Sequence, residues 1–173
     1  MQNLLQFARK SPEEVVSVNV NNVVEDALSL IEHQLLVNKI EVIKNLTTDI
    51  KQVDGNHVQL QQVFTNIIIN AQQAMPEGGQ LFISSRNENG NVGIEFKDTG
   101  CGIPEKYKDR IFEPFFTTKM DWRGTGLGLS ICYDIIKNHN GHITVDNKLG
   151  KGAVFTIILP VKSDKMFNQG VVK

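Results

Sequence analysis

Residues 56–79, NHVQLQQVFTNIIINAQQAMPEGG, carry two patterns at once. Val58, Val63, Phe64, Ile67, Ile68, Ala71 and Ala74 recur at helical spacing and predict a long helix with an apolar flank. Asn56, followed three residues later by Gln59, makes a capping box, and Pro76-Glu77-Gly78-Gly79 ends the helix. The second pattern is polar. Gln59, Gln62, Asn66, Asn70 and Gln73 are spaced by three and four, so all lie near one face. Asn is a poor interior helix former because its side chain competes for backbone hydrogen bonds. Asn66 and Asn70 nevertheless stand among Ile67, Ile68, Ile69 and Ala71, in a segment apolar enough to be buried. A neutral amide beside a core can give its oxygen to a hard cation without adding negative charge near phosphates. A solvated face of ordinary Gln and Asn fits the spacing equally well.

Working outward from this helix, Val16, Val18 and Val20 alternate with Ser17 and Asn19 as a short strand. Asn21 or Asn22 can then cap a helix carrying Val23, Val24, Ala27, Leu28, Ile31 and Leu35. Residues 40–46, IEVIKNL, read as a strand, as do 80–86 and 92–97, which the turn region 87–91 joins. After an irregular stretch over 98–125, a helix runs from Leu127 to His139 and stops at Asn140-Gly141. Strands near 142–147 and 153–159 complete the pattern. Short turns join most of the strands, and three helices lie around them. That predicts an α+β fold, a two-layer α/β sandwich whose mixed, mostly antiparallel sheet is covered on one face by about three helices.

At 173 residues the chain is the size of one domain, and 40% hydrophobic with 21% charged residues excludes a disordered chain. A net charge of -1 leaves no global field for nucleic acid, so an anion must be handled by local groups. Cys101 and Cys132 are too few for a disulfide framework or a zinc cluster, which points to a reducing compartment. No apolar run approaches a membrane span, and MQNLLQFARK lacks the long apolar run of a signal peptide.

Asp98-Thr99-Gly100-Cys101-Gly102 follows the strand VGIEFK. A carboxylate at a strand end can accept a hydrogen bond from an amine, while the glycines let backbone approach a flat ring. A plain Asx turn is the competing reading. Gly124-Thr125-Gly126-Leu127-Gly128-Leu129-Ser130 leads straight into a helix, where backbone N–H groups can meet phosphate oxygens. It is neither a dinucleotide fingerprint nor a Walker A loop, and a structural loop-to-helix joint remains open. Lys119 and Arg123 are the nearest cations, able to reach phosphates or to stay solvated. Phe112-Glu113-Pro114-Phe115-Phe116 is a small packing cluster or an exposed docking surface, and Trp122 lies beyond it. His33, His57, His139 and His142 are scattered without metal spacing and read as structural or surface residues.

In order and spacing these pieces resemble the ATP-binding catalytic domain of sensor histidine kinases, within the superfamily shared with DNA gyrase, the ninety-kilodalton heat-shock chaperone and the MutL ATPase. The N box is QQVFTNIIINAQQA (61–74), the G1 box DTGCGI (98–103), the F box IFEPFFTTK (111–119) and the G2 box GTGLGLS (124–130). A weaker last box is GKGAVFTIILP (150–160), and the compact pattern is similar to the nitrogen-regulator group. The resemblance implies that ATP lies between the helices and a short lid over 117–125. By it Asp98 accepts the adenine amine, Gly102 lets the ring approach, Asn70 holds Mg²⁺ with Asn66 in support, and Gly126 and Gly128 present N–H groups to phosphates. The full nucleotide set it implies is Asn66, Asn70, Gln73, Asp98, Gly100, Gly102, Ile103, Phe115, Thr118, Lys119, Arg123, Gly124, Thr125, Gly126, Leu127, Gly128 and Leu129.

Three departures from the family pattern matter. Gln73 stands where a basic residue is common, so phosphate contact leans on Lys119 and Arg123. Ala153 lacks the hydroxyl often found after the last glycine. Asn66 replaces the Glu that serves hydrolysing relatives as general base, which favours phosphoryl donation over hydrolysis. No histidine here has the setting of a phosphoacceptor, so the chain has no catalytic residue of its own for that step.

Residues 1–12 are expected to be the end of a dimerisation-domain helix, 13–161 the ATP-binding domain and 162–173 a frayed tail. The partners implied are that upstream phosphoacceptor domain, dimeric in the full protein, and indirectly a response regulator. Neither nucleic acid nor direct membrane contact is expected. The domain is expected to be monomeric and cytoplasmic, whether the full protein is soluble or membrane-anchored. A partner-docking pseudokinase and an anti-sigma serine kinase share the boxes; nucleotide binding tests the first, and the upstream helix and full FEPFFTTK argue against the second.

Overall fold

The structure is a computed structural model that describes residues 15–117, 125–147 and 151–162. Its elements run β1 (Val16–Val18), α1 (Val20–Val37), β2 (Ile40–Leu46), β3 (Val53–Gly55), α2 (His57–Ala74), β4 (Gly79–Glu88), β5 (Asn91–Asp98), α3 (Gly128–Asn138), β6 (His142–Asn147) and β7 (Ala153–Pro160). A 3₁₀ turn occupies Glu105–Tyr107. Five strands form one sheet in the order β2-β4-β5-β7-β6, with β2 parallel to β4 and the other pairs antiparallel. The expected two-layer α+β sandwich is what forms. β1 and β3 make a separate antiparallel ribbon.

The sheet buries one face because its strands alternate. Leu81 and Ile83 of β4, Val92, Ile94 and Phe96 of β5, and Phe155, Ile157 and Leu159 of β7 are all buried. Register sets Ile83 beside Phe96 and Phe96 beside Phe155, and Phe64 of α2 packs on Phe96 with ring centroids 5.4 Å apart. Burying each such side chain stabilises the fold by roughly 1.5–3 kcal/mol. The same alternation carries Asp98, the last residue of β5, to the helix-facing side.

Two details differ from the sequence expectation. Asn19, not Asn21 or Asn22, caps α1, and its side chain accepts the Asn21 N–H at 2.9 Å. The reason is that Asn21 is used elsewhere: it donates to the Thr47 carbonyl and accepts from Ser85 Oγ, both at 2.8 Å. That network satisfies the buried Ser85 hydroxyl and ties α1 to the ends of β2 and β4. β3 went unforeseen because three residues show no periodicity, and its partner β1 is distant in sequence.

The capping box at α2 is half realised. Asn56 Oδ1 accepts the Gln59 N–H at 3.0 Å, but the Asn56 N–H donates to Nε2 of buried His139 at 3.0 Å. His139 Nδ1 donates in turn to the Ile135 carbonyl at 2.7 Å. One imidazole therefore joins the end of α3 to the start of α2. His139→Phe leaves that N–H unsatisfied and is expected to cost about 1–3 kcal/mol, read as a lower urea midpoint at unchanged slope. Among the described residues no helix is long and apolar enough to cross a membrane.

Candidate functional site

α2, the end of β5, the loop after it and the start of α3 surround a cleft of about 490 Å³. Asn66, Asn70, Gln73, Asp98, Gly102, Ile103, Thr125, Gly126, Gly128 and Leu129 all line it. Residues far apart in the chain thus share one wall because α2 and α3 pack side by side across the end of β5.

Asp98 is the electrostatic centre of this cleft. It is 3% exposed, and its Oδ1 accepts the Gly100 N–H at 2.8 Å and the Ala153 N–H at 3.3 Å. The residue also lines the cleft. Burial raises the carboxyl pKa above its ordinary value, and the hydrogen bonds from Gly100, Ala153 and the residue's own N–H offset this only in part. The Asx turn and a carboxylate on the cleft wall are therefore one arrangement: Oδ1 builds the turn in a residue that lines the cleft.

Gly152 makes this possible. Its φ is +86°, and a Cβ there would stand 1.9 Å from the Asp98 carbonyl oxygen. β7 can start beside Asp98 only without a side chain at that position. The role was not assigned from sequence, although the glycine in GKGAVFTIILP was its signal. Ala153 contributes its N–H to the carboxylate, a role that needs no hydroxyl.

On the α2 wall, Asn66 Nδ2 donates to the Gly128 carbonyl at 3.4 Å and to Cys132 Sγ at 3.7 Å. It ties α2 to the first turn of α3. Cys132 is fully buried, and burial pushes its thiol pKa up to about 12. Asn70, one turn beyond Asn66, is half-buried on the cleft, and its side chain makes no hydrogen bond among the described residues. No group of three or more His, Cys, Asp or Glu among those residues could hold a metal ion. A cation here would take most of its ligands from a bound phosphate and water.

At the opposite end of the cleft, α3 starts without a side-chain cap, which leaves first-turn N–H donors for an anion. Gly126 permits this start, because a Cβ on it would lie 2.5 Å from the Phe115 carbonyl carbon.

Three expected site residues stand away from the cleft wall. Phe115 is 75% exposed with φ +65°, and this turn of the backbone gives the cleft to Phe116 instead. Phe116 is held by the Tyr107 ring at 5.4 Å and the Arg110 guanidinium at 4.7 Å. Gly100 stands one layer back, its N–H spent on Asp98. Leu127 occupies the cap position of α3, where its carbonyl accepts from Ser130 Oγ at 2.9 Å. Thr118, Lys119, Trp122, Arg123 and Gly124 lie outside the described residues, as do 1–12 and most of the tail. The apolar walls from Ile69, Pro104, Ile111 and Phe155 were not foreseen, since apolar residues carry no chemical signature in sequence.

Residues 55–163 match the family described as Histidine kinase-, DNA gyrase B-, and HSP90-like ATPase. Sporulation kinase C of Bacillus subtilis (strain 168) is 36% identical over 165 residues, which is 95% of this chain and 38% of that protein. The nucleotide-free catalytic domain of histidine kinase ThkA aligns at a TM-score of 0.77 and 34% identity, over 86% of this chain and 96% of that one. ThkA solved in complex with the response regulator protein TrrA gives a TM-score of 0.77 at 30% identity, over 93% of this chain and 46% of that one. The chain spans well under half the length of the curated relatives it matches. The family match extends over more than half of the chain and the solved catalytic domain agrees with it along nearly its whole length: this chain belongs to the histidine kinase-, DNA gyrase B- and HSP90-like ATPases.

Proposed function

We propose that the chain binds ATP with Mg²⁺ in this cleft and positions the γ-phosphoryl group for transfer to a histidine on a separate dimerisation domain of a two-component sensor kinase. The observation that carries the reading is the buried Asp98 carboxylate on the cleft wall, whose Oδ1 is held in place by two backbone N–H groups. A carboxylate so placed accepts strongly from the exocyclic amine of adenine, because the buried surroundings lower the local dielectric. Across the cleft, the uncapped start of α3 at Gly126 and Gly128 suits the phosphates. Lys119 and Arg123, in the segment 117–125, are proposed to add the charge that Gln73 does not supply.

The residues present fit Mg²⁺ carried in by the triphosphate. Asn70 offers one amide oxygen and, among the described residues, no carboxylate cluster competes, as suits an ion that keeps phosphate and water ligands. When bound, the ion would offset the charge of the phosphate oxygens. Asn66 spends its amide on Gly128 and Cys132 and cannot accept a proton from water. That supports phosphoryl donation over hydrolysis.

On this reading residues 13–161 form the ATP-binding unit, 1–12 continue from the dimerisation domain, and 162–173 are a tail. The unit works on the cytoplasmic side, where ATP is found. The complex of ThkA with a response regulator supports a regulator as the indirect partner here.

The test uses labelled ATP and Mg²⁺, with and without a dimerisation domain that bears an acceptor histidine. Acid-labile, base-stable phosphate is expected on the acceptor alone. Label on the chain itself, or ATP turnover with nothing transferred, would overturn the proposal. Asn70→Ala is expected to reduce the Mg²⁺-dependent part of ATP affinity by roughly tenfold to a hundredfold in calorimetry. A variant that binds like the parent in Mg²⁺ would remove Asn70 from the metal role.

A further inference from the structure

We infer that the segment ahead of β1, NLLQFARK (3–10), docks on its own domain, in the groove between α1 and the free edge of β2. This is a surface apart from the cleft, and the docking does not depend on nucleotide binding.

β2 stands at one end of the sheet order, so its outer edge meets no other strand among the described residues. α1 leaves that edge partly open, and between them lies a groove of about 380 Å³. Leu28, Leu35, Ile40 and Val42 make its apolar floor, and Leu36, 70% exposed, stands on its rim. Proteins cover such a sheet edge or charge it. Here the lining carries an excess of one sign. Its single cation, Lys44, is already held by both carboxylate oxygens of Glu25, at 2.7 and 2.8 Å. Glu41 accepts only from the neutral Gln80 amide, at 2.8 Å, and Glu32 has no ion-pair partner among the described residues. Two carboxylates therefore line the groove without a cation of their own.

Charge and connectivity select the occupant. Arg9 and Lys10 supply two cations, and Leu4, Leu5, Phe7 and Ala8 come just before them. At helical spacing Leu4, Phe7 and Ala8 share one side, which suits the apolar floor. With Arg9 and Lys10 at Glu32 and Glu41, these side chains would reach Leu35, Leu36 and Ile40. The segment leaves the domain at β1, directly ahead of α1, which forms one wall of the groove. Extended, the chain from Val16 back to Arg9 reaches ~24 Å. Along α1, Glu32 stands only ~18 Å from Val20. The tail after Lys162 starts farther off: that residue's N–H donates to the Gln52 carbonyl, and β4 and β5 separate β7 from β2. Tethering gives the segment an effective concentration of about millimolar, so a few apolar contacts and two ion pairs suffice. The contact would fix the direction in which the segment preceding β1 enters the domain.

The experiment treats the whole chain with a water-soluble carbodiimide, which joins an amine to a carboxylate in direct contact, and maps the links by peptide mass spectrometry. The Lys44–Glu25 pair is the internal control. A link from Lys10 to Glu32 or Glu41 within one chain is expected beside it. Tryptic cleavage after Lys10 is then timed in the parent and in Leu36→Asp, a change at an exposed position. Loss of docking should quicken that cleavage about tenfold. Arg9→Glu alone should lose the same protection, and Arg9→Glu with Glu32→Arg should regain it. A control link with none from Lys10 to the groove would overturn the inference. So would a Lys10 link formed only between two chains, a groove link from Lys165 of the tail instead, unchanged cleavage in Leu36→Asp, or no recovery in the charge exchange.

Discussion

Gly152→Ala is expected to lower the stability of the domain by about 3–5 kcal/mol and to abolish measurable ATP binding. The new Cβ would lie 1.9 Å from the Asp98 carbonyl oxygen, 2.7 Å from its carbonyl carbon and 3.1 Å from Thr99 Cα. All three are backbone atoms and cannot swing aside as a side-chain end does. Relief requires the start of β7 to leave the end of β5, and that removes the Ala153 N–H from the Asp98 carboxylate. The left-handed φ of +86° adds a backbone penalty of roughly 1–2 kcal/mol. Gly90→Ala separates the two terms: its φ is +80°, but nothing lies within 4 Å of the added carbon. It should pay the backbone penalty alone and keep nucleotide binding. Thermal melts of the three proteins decide the matter. A Gly152→Ala protein that melts with Gly90→Ala and binds ATP like the parent would refute the close-approach argument.

Asp98→Asn is expected to separate stability from binding. The isosteric amide keeps Oδ1 as acceptor for Gly100 and Ala153, which turns its NH₂ toward the cleft. A donor then faces the adenine amine donor, and ATP affinity should fall about a hundredfold, or ~2.8 kcal/mol.

Stability should move the other way. Burial raises the Asp98 carboxyl pKa in the folded state, so the folded protein holds its proton longer than the unfolded chain. That difference favours folding below the unfolded value of 3.8 and is lost as pH rises through the raised folded value. The neutral amide has no such loss. Asp98→Asn should therefore gain on the parent as pH rises through that window and stay more stable above it. Urea titrations across acid and neutral pH, paired with calorimetry, check both halves. A variant destabilised at neutral pH would show that the hydrogen bonds outweigh desolvation.

The sequence was most legible where a local rule governs. α2 runs His57–Ala74 with Asn56 as its cap because capping and 3.6-residue periodicity are properties of neighbouring residues. The αL stop at Asn140, φ +56°, follows the same logic. Legibility failed where a partner from elsewhere intervened. His139 took over half of the capping box from 83 positions away. Phe115 and Phe116 exchanged roles because a left-handed turn at Phe115 decides which ring meets the cleft. Nothing in the run FEPFF distinguishes them.

By itself the sequence determined most of the element types, the sandwich and the order of four boxes whose amides, carboxylate and glycines line one cleft. The elements depend on periodicity, which short-range sterics and hydrogen bonding control, and the boxes are legible through their resemblance to the family. Only the tertiary structure decided how that carboxylate is held, its Oδ1 accepting from Gly100 and Ala153 at the wall of the cleft. It also decided that Gly152 must carry no side chain and that Cys101 is open while Cys132 is sealed. Those outcomes depend on the end of β5, the start of β7 and the faces of α2 and α3 meeting within a few ångströms. Distances between remote segments exist only once the chain has packed.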